Sequence, residues 1–271
     1  MKKITEMTAA IGVACLIGGT SLLAHTPYVL PNVFSTSKGE KVTAMSSFTE
    51  EFFVPDFKVE SEDFHLVLPS GERAEYGNIG IFDQLTILEN SLEEEGTYRL
   101  STGDRLGRKF KMKFVDGAWD YVARGMGENA KADPIPKGVK VAEFQSQTVA
   151  VAYVTKGVPT QGALKQSGSG LEIVPTTHPS EVYVKEPFKF VLTFNGKAVK
   201  GHEMSIFRQG GEYEEPKYKV ETVTGKKGNV SAVFDEPGVY VVMTRHKDLA
   251  PEGSETPYRS YTISLTFEVQ R

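Results

Sequence analysis

Alternation of apolar and polar residues constrains the fold of this chain more than any other feature of its sequence. Near the C-terminus, one side of a predicted strand carries Ile263, Leu265, Phe267 and Val269, and the opposite side carries Thr262, Ser264, Thr266 and Glu268. Related short runs, rich in aromatic and β-branched residues, occupy 110–114, 188–192 and 217–222. Glycine, proline, asparagine and aspartate separate these runs, a pattern that is typical of antiparallel sandwiches and not of βαβ units. The one helix that the sequence suggests is short and covers 83–92.

An internal repeat divides the chain into two similar parts. Residues 29–31 and 173–175 each end in proline and open one copy, and each copy later reaches an acidic turn followed by Gly-x-Tyr at 96–98 or 238–240. The proline-to-tyrosine separations are 67 residues (31 to 98) and 65 residues (175 to 240). Sandwiches place a corner tyrosine at such a point, and its hydroxyl hydrogen-bonds back across the turn. The repeat therefore predicts an all-β chain of two tandem antiparallel β-sandwiches, immunoglobulin-like or transthyretin-like.

Composition indicates the boundaries between these units. We expect a signal peptide at 1–24, a first sandwich at 25–122, a linker region at 123–170 and a second sandwich at 171–271. The linker region opens with a stretch rich in glycine, proline and charge, and a second loop rich in glycine and serine closes it. One strand, 148–155, is predicted between the two loops. The sequence leaves open which sandwich this strand belongs to.

The N-terminus has the features of a cleaved secretory signal peptide. A lysine pair at 2–3 precedes an apolar stretch at 8–24 that is shorter than the span of about 20 residues needed to cross a membrane. The stretch ends at Ala24, a small residue suited to the position before the cleavage site. We therefore expect a periplasmic protein whose mature chain begins at His25. A retained N-terminal anchor and lipidation at Cys15 are the alternatives.

The cysteine content and the net charge limit which ligands and partners we expect for the mature chain. Cys15 is the only cysteine and leaves with the signal peptide, so neither a disulfide nor a thiolate ligand is expected, as suits a bacterial periplasm. Removal of 1–24 takes away Lys2, Lys3 and Glu6, whose combined charge is +1, and changes the net charge from −4 to −5. This charge argues against nucleic acid and anionic membrane surfaces as partners. No later segment is long and apolar enough to be a transmembrane helix.

His25 is the strongest functional candidate, because cleavage would expose its α-amine beside its imidazole. Together the two nitrogens can chelate a metal ion in a six-membered ring, which an internal histidine cannot do. An α-amine has a reference pKa of about 7.7 and gives up its proton readily to a metal near neutral pH. Amine and imidazole nitrogens suit Cu(II), Ni(II), Co(II) and Zn(II). The alternative is that His25 is an arbitrary polar residue at the start of a mature protein.

Three further histidines are candidate metal ligands. His65 lies on a predicted strand of the first sandwich, His178 lies in a turn after the first strand of the second, and His246 ends a later strand. The sequence places none of them within ligand distance of another, and for each a plain surface histidine is the alternative. His202, in a Lys-Gly-His-Glu turn, is predicted to be a solvated turn residue.

Several motifs of the mature chain carry a family resemblance. They begin with HTPYVLP at 25–31 and continue in the segments 47–53, 96–100, 170–179, 194–201 and 238–246. These motifs resemble the DUF4198 family, exported proteins that are often labelled NikM-like periplasmic components of nickel or cobalt uptake. His25, His178 and His246 fall on family-like histidine positions, whereas His202 falls where the family usually has a small residue. The resemblance implies metal binding and not catalysis.

The expected function is therefore periplasmic binding of nickel, cobalt or copper in support of nickel or cobalt uptake. The resemblance implies a metal transporter or an outer-membrane receptor as partner. No HExxH or GxSxG motif is present, so we do not expect an enzyme. Two alternatives stay open. One is a non-catalytic envelope module that binds a receptor or a polysaccharide, since a sandwich fold does not fix function. The other is a copper enzyme, because an N-terminal histidine resembles the copper site of lytic polysaccharide monooxygenases.

Overall fold

A computed structural model of the chain describes residues 25–124, 131–132 and 134–271. Strands, turns and loops account for nearly all of these residues, and two short 3₁₀ helices occur among them, at Gly162–Leu164 and Gly211–Tyr213. The predicted all-β class is therefore confirmed. No helix in this part of the chain is long and apolar enough to cross a membrane. The predicted signal peptide and part of the predicted linker lie outside the described residues.

The described strands are numbered in chain order. Those of the N-terminal part are β1 (Thr26–Pro31), β2 (Ser35–Thr36), β3 (Lys41–Thr49), β4 (Phe57–Lys58), β5 (His65–Val67), β6 (Arg73–Ala74), β7 (Asn78–Ile81), β8 (Thr86–Ser91), β9 (Gly96–Ser101), β10 (Arg105–Val115), β11 (Ala118–Tyr121), β12 (Ala123–Arg124) and β13 (Lys131–Ala132). The others are β14 (Val141–Lys156), β15 (Leu171–Pro175), β16 (Pro187–Phe194), β17 (Lys197–Ala198), β18 (Glu203–Arg208), β19 (Lys219–Val223), β20 (Asn229–Val233), β21 (Gly238–Leu249) and β22 (Tyr258–Val269).

A large central sheet and two smaller outer sheets make up the structure. The central sheet has eleven strands in the order β19-β18-β21-β22-β14-β9-β5-β6, with β2 and β10 also paired to β14 and β11 paired to β10. The first outer sheet has the order β1-β3-β8-β7, with β4 on β3. The second has the order β15-β16-β17, with β20 on β16. Strand pairs are antiparallel except for β14 with β22 and β14 with β2, and β12 pairs with β13 in a separate ribbon.

The strand β14 belongs to both sandwiches. Its side chains Val151 and Tyr153 pack in the second core, against the second outer sheet. The alternate side chains Ala150, Ala152 and Val154 pack in the first core, against the first outer sheet. The run VAVAYV that contains these residues is apolar at every position, as expected of a strand buried on both faces. The two sandwiches therefore share the central sheet, and β14 is the strand that joins their cores.

The two faces of β22 are both buried but differ in chemistry. Ile263 and Phe267 belong to the second core, on the apolar side that the alternation predicts. Ser264 and Thr266 face the other way and are also fully buried. β1 covers this face, and Ser264 Oγ donates a hydrogen bond of 2.5 Å to the Pro27 carbonyl oxygen. Small hydroxyl side chains thus allow a backbone to approach closely and satisfy one of its polar groups.

β1 is packed on both of its faces, which fixes this strand to the folded body. Val29 lies in the first core. Tyr28 points the opposite way and packs with Phe52, Phe53 and Val241 of β21. β1 also pairs with β3 along its whole length. The residue that precedes β1 is therefore held in a defined place.

Both predicted corner tyrosines are present, and their local geometry is the same. The Tyr98 hydroxyl donates to the Glu94 carbonyl oxygen at 2.8 Å, and the Tyr240 hydroxyl donates to the Glu236 carbonyl oxygen at 2.8 Å. Each acceptor lies four residues before its tyrosine, and both side chains are buried. The repeat in the sequence is therefore a repeat in the structure.

The helix suggested at 83–92 is wrong. Residues Thr86–Ser91 form β8, which pairs with β3 on one side and with β7 on the other. Thr86 and Leu88 are buried while their neighbours are partly exposed, so burial follows the period of two of a strand. Pairing on both sides overrides the weak local preference of this segment.

Candidate functional site

The His25 side chain lies beside two carboxylates at the start of β1. Its Nε2 is 3.6 Å from Glu50 Oε1 and 3.6 Å from Asp56 Oδ2. The side chain is 20% exposed, and its ring packs against Phe57 with the centroids 4.8 Å apart. Both carboxylates face the same nitrogen, so neither of them occupies Nδ1. At 3.6 Å these are ion-pair contacts, longer than hydrogen bonds, and they leave Nδ1 as the ring nitrogen with no carboxylate beside it.

The turn after β3 brings the two carboxylates to this imidazole. Thr26 pairs with Thr49, so the start of β1 lies beside the end of β3, and Glu50 follows directly. The Glu50 backbone N–H donates to Asp56 Oδ2 at 2.8 Å and so ties the two ends of the turn together. Inside the turn, the Glu51 N–H donates to Thr49 Oγ1 at 2.9 Å. The register of β1 on β3 thus decides which acidic residues His25 meets.

His178 is buried where the two sandwiches meet, and both of its ring nitrogens are engaged. Nδ1 accepts a hydrogen bond of 3.2 Å from the Ser180 N–H, which can only donate. Nε2 lies 3.2 Å from the Thr160 carbonyl oxygen, which can only accept, and 3.1 Å from Thr97 Oγ1. These partners fix the Nε2–H tautomer. In this arrangement His178 links the two sandwiches through hydrogen bonds, and neither of its ring nitrogens is free to bind a metal ion.

His246 and His202 form a pair at one end of the second core. Their ring centroids are 5.4 Å apart, and the ring planes are at 73°. β18 pairs with β21 in a register that sets Ser205 opposite Met243, and the same register places His202 opposite His246. His246 Nε2 is 3.5 Å from Asp248 Oδ2.

His202 is half-buried, and not the solvated turn residue that the sequence indicates. Its Nε2 is shielded from solvent and has no hydrogen-bond partner within the described residues. Burial, together with the neighbouring His246, lowers the pKa of His202, and the Arg245 backbone beside the ring opposes this in part. A buried nitrogen without a partner costs about 1–3 kcal/mol, so this atom calls for an explanation.

His65 stands apart in the first sandwich. Its Nδ1 is 2.7 Å from the Asp63 carbonyl oxygen and therefore carries the proton. Burial, helped by the nearby Arg73, lowers the pKa of His65. Arg73 itself pairs with the Asp63 carboxylate at 2.5 Å. These contacts account for His65 within the packing of β5 and β6.

His25 and His246 lie on opposite faces of the central sheet. His246 packs against Phe194 of the second outer sheet, with the ring centroids 4.8 Å apart. His25 adjoins β1, which covers the other face through the bond between Pro27 and Ser264. The central sheet therefore separates the two imidazoles.

His178 is also distant from His25. His178 contacts Thr97, and Thr97 pairs with Thr155 of β14. His25 adjoins β1, which contacts Ser264 of β22, and Ser264 pairs with Ala150 of β14. Thr155 and Ala150 therefore mark the positions of the two histidines along β14. These two points are five residues apart along β14, about 16 Å at the usual strand rise of about 3.3 Å per residue.

The four histidines predicted as ligands thus do not meet in this structure. Within the described residues, no group of three or more histidine, cysteine, aspartate or glutamate side chains could hold a metal ion. A metal at His25 would therefore depend on the α-amine and on ligands from solvent. Sequence reasoning missed Glu50, Asp56 and His202. The alternation of apolar and polar residues along β18 and β21 could have predicted that His202 and His246 share a face of the sheet. It could not have predicted the register that sets the two histidines opposite each other.

Comparison with known proteins identifies one family. The model of DUF4198, described as a domain of unknown function, matches residues 22–248. No curated protein sequence matches this chain significantly. Among solved structures, the D0-D1 domain of intimin is similar at 12% identity, over 90% of this chain and 97% of that chain, with a TM-score of 0.24. A similarity at that level assigns neither fold nor function.

Proposed function

We propose that this chain, which belongs to the DUF4198 family, is an exported, non-catalytic binding protein for a divalent transition metal, with its site at His25. The observation that carries the proposal is the position of Glu50 and Asp56, both 3.6 Å from His25 Nε2. They leave Nδ1 available. Cleavage before His25 would add the α-amine, which completes a chelating pair on a single residue.

The two carboxylates act on the imidazole and not on the metal. A carboxylate beside one imidazole nitrogen fixes the proton there, orients the ring and makes the other nitrogen a better donor. Loss of such a partner typically weakens metal binding about 10–100-fold. Glu50 and Asp56 are therefore positioning residues, and the His25 nitrogens are the ligands.

Charge balance favours the same arrangement. An amine and an imidazole bring no negative charge to a divalent cation, so nearby carboxylates compensate for part of its charge. Glu50 and Asp56 are 61% and 37% exposed, and water screens charges at such positions. Their long-range contribution is therefore modest, and orientation of the ring is their larger effect.

The donor atoms of the proposed site determine which metal ions it would bind most tightly. Nitrogen donors bind Cu(II) most tightly among the first-row divalent ions, with Ni(II) and Co(II) below it. The family resemblance adds the biological direction, which is nickel or cobalt uptake from the periplasm. On this proposal the protein receives the ion there and delivers it to a metal transporter or an outer-membrane receptor.

Calorimetric titration of Ni(II), Co(II) and Cu(II) into the chain that begins at His25 tests the proposal. Adding one glycine before His25 removes the amine from the chelate but keeps the imidazole, and affinity should fall at least 10-fold. Binding to the cleaved form should release protons and weaken as pH falls, because both nitrogens bind deprotonated.

Matched variants separate orientation from general charge. Glu50→Gln and Asp56→Asn should each weaken binding by about 10-fold or more. Glu51→Gln is the control, because it removes the same charge from an exposed neighbour that does not contact His25. Equal affinity of the cleaved and glycine-extended forms would exclude the amine and favour the envelope interaction module.

A further inference from the structure

We propose that His202 and His246 form a second binding site for a divalent transition-metal ion, within the second sandwich and separate from His25. This site uses internal side chains only. It therefore does not depend on where the mature chain begins, and it stands or falls independently of the function proposed above.

The spacing of the two rings fits a shared ion. Two imidazoles that bind one metal at about 2.0–2.1 Å from each nitrogen, at a tetrahedral angle, have ring centroids about 5 Å apart. The His202 and His246 centroids are 5.4 Å apart. The pairing of β18 with β21 ends at Ser205 and Met243, and the same register continued for three residues sets His202 opposite His246. Directly opposed residues of antiparallel strands have Cβ atoms about 4.5–5.5 Å apart, which agrees with this spacing.

The surroundings of His202 leave it one donor nitrogen. The Arg245 backbone beside the ring acts as a carbonyl acceptor does, favouring a protonated ring nitrogen, and because Nε2 is the nitrogen without a partner we assign the proton to Nδ1 and a lone pair to Nε2. Nε2 is shielded from solvent and has no hydrogen-bond partner within the described residues. Metal-binding histidines typically donate their other N–H to a backbone carbonyl or a carboxylate in this way. A bound ion would satisfy the nitrogen that the fold otherwise leaves unpaired.

Asp248 supplies the corresponding support for His246. Its Oδ2 is 3.5 Å from His246 Nε2, and the two residues lie two apart on β21 and therefore share one face of that strand. The carboxylate can hold that nitrogen and leave Nδ1 for an ion, and it adds a negative charge beside two neutral donors. Asp248 is therefore a positioning residue of this site.

The surroundings suit a site that is open on one side. Phe194 packs against His246 at 4.8 Å and against Tyr261 at 4.8 Å between centroids, so aromatic rings shield the inner side. The His246 side chain is 20% exposed, which leaves access from outside. Because the described residues contribute two imidazoles and no third ligand group, an ion here would keep positions for water or an added ligand.

The test uses Zn(II) as the probe and the mature chain with one glycine before His25, which disables the His25 chelate. His202→Gln and His246→Gln should each weaken Zn(II) binding at least 10-fold in calorimetric titration, and Asp248→Asn should weaken it by about 10-fold. His65→Gln is the control and should change affinity less than twofold, because His65 lies in the other sandwich.

A measurement on the unsubstituted chain keeps the proposal falsifiable even where a variant fails to fold. Saturating Zn(II) should shift the ring ¹⁵N resonances of His202 and His246 and leave those of His178 unchanged. Unperturbed His202 and His246 resonances would show that the pair is a packing contact only and would overturn the proposal. Failure of the His25 site would appear separately, as an absence of any effect of the added glycine.

Discussion

The two tyrosine corners of this protein share one local design but carry different tertiary contacts. In each, a glycine with positive φ precedes the strand, 129° at Gly96 and 144° at Gly238, and a tyrosine two residues later bonds back across the turn. A Cβ at Gly96 would lie 2.6 Å from Pro69 Cβ and 2.8 Å from Thr160 Oγ1. A Cβ at Gly238 would meet no atom within 4 Å.

The residue between the glycine and the tyrosine also makes different contacts in the two corners. Thr97 N–H donates to Thr160 Oγ1 at 3.0 Å, and its own Oγ1 accepts from the Thr160 N–H at 3.1 Å and contacts His178 Nε2 at 3.1 Å. Its counterpart, Val239, packs against the small cluster that contains Tyr28. The first corner is thus hydrogen-bonded to the joint, the segment where the sandwiches meet, whereas the second corner reaches the other sandwich only through the apolar packing of Val239. A repeated motif can be kept while one copy takes on an additional structural task.

The largest expected difference concerns the glycines. Alanine is strained at either φ, at a cost of about 1–3 kcal/mol, and at Gly96 it also collides with Pro69 and Thr160, which adds about 1–3 kcal/mol. Gly96→Ala should therefore destabilise the protein by about 2–6 kcal/mol and Gly238→Ala by about 1–3 kcal/mol. Urea unfolding of the two variants measures this. Equal losses would mean that the first corner is not tightly packed against the joint.

A smaller effect is expected when the first corner is given the sequence of the second. Thr97→Val preserves the shape of the side chain but removes the acceptor of the Thr160 N–H and a partner of His178. The free energy of unfolding should fall by about 1–3 kcal/mol, because a buried donor is left unpaired.

A double-mutant cycle sharpens this test. With His178→Ala as the second substitution, the two changes should be non-additive by at least about 0.5 kcal/mol, since the side chains touch. Val239→Thr is the matched control and should not couple to His178. Additive effects of Thr97→Val and His178→Ala would contradict the role of Thr97 in the joint.

Local patterns in the sequence predicted the parts of the fold that depend on local geometry. Gly-x-Tyr after an acidic turn is a short-range signal, and both corners follow from it. Period-two alternation predicted β22 correctly. The sharing of β14 could not be derived, because its parallel pairing with β22 joins residues more than 100 positions apart, such as Phe144 and Tyr258. The continuous apolar run in β14 was the available sign of burial on both faces.

The candidate site was predictable only in part for the same reason. His25 stands out from its position beside the expected cleavage site, which needs no tertiary information. Glu50 and Asp56 reach it through the register of β1 on β3 and the closure of a turn. His202 meets His246 through the register of β18 on β21. Registers depend on packing across whole sheets, so the side chains that they bring together are the least visible in a sequence.

The smallest expected difference between the two corners is their response to alkaline pH. Burial raises the pKa of both Tyr98 and Tyr240. At Tyr98 the hydrogen bond to the Glu94 carbonyl oxygen opposes this rise in pKa, and the carboxylates of Glu94 and Glu93 add to it. At Tyr240 the hydrogen bond and charge of Arg208 oppose the rise in pKa, and the Glu236 carboxylate adds to it. A phenol whose pKa is raised by folding stabilises the protein fully below the unfolded-state value of about 10, and this stabilisation is lost as pH rises above it.

We therefore expect the free energy of unfolding to decrease between about pH 9 and pH 11, with a slope of at most about 1.4 kcal/mol per pH unit for each such tyrosine. Tyr98→Phe should flatten this decrease more than Tyr240→Phe, because a guanidinium, that of Arg208, opposes the rise in pKa at Tyr240 and none does so at Tyr98. Tyr213→Phe, at a side chain that is 76% exposed, is the control and should leave the curve unchanged. Urea unfolding across this pH range measures the slopes. If the curves of Tyr98→Phe and the unsubstituted protein ran parallel, the first corner would not hold its tyrosine neutral more firmly than the second.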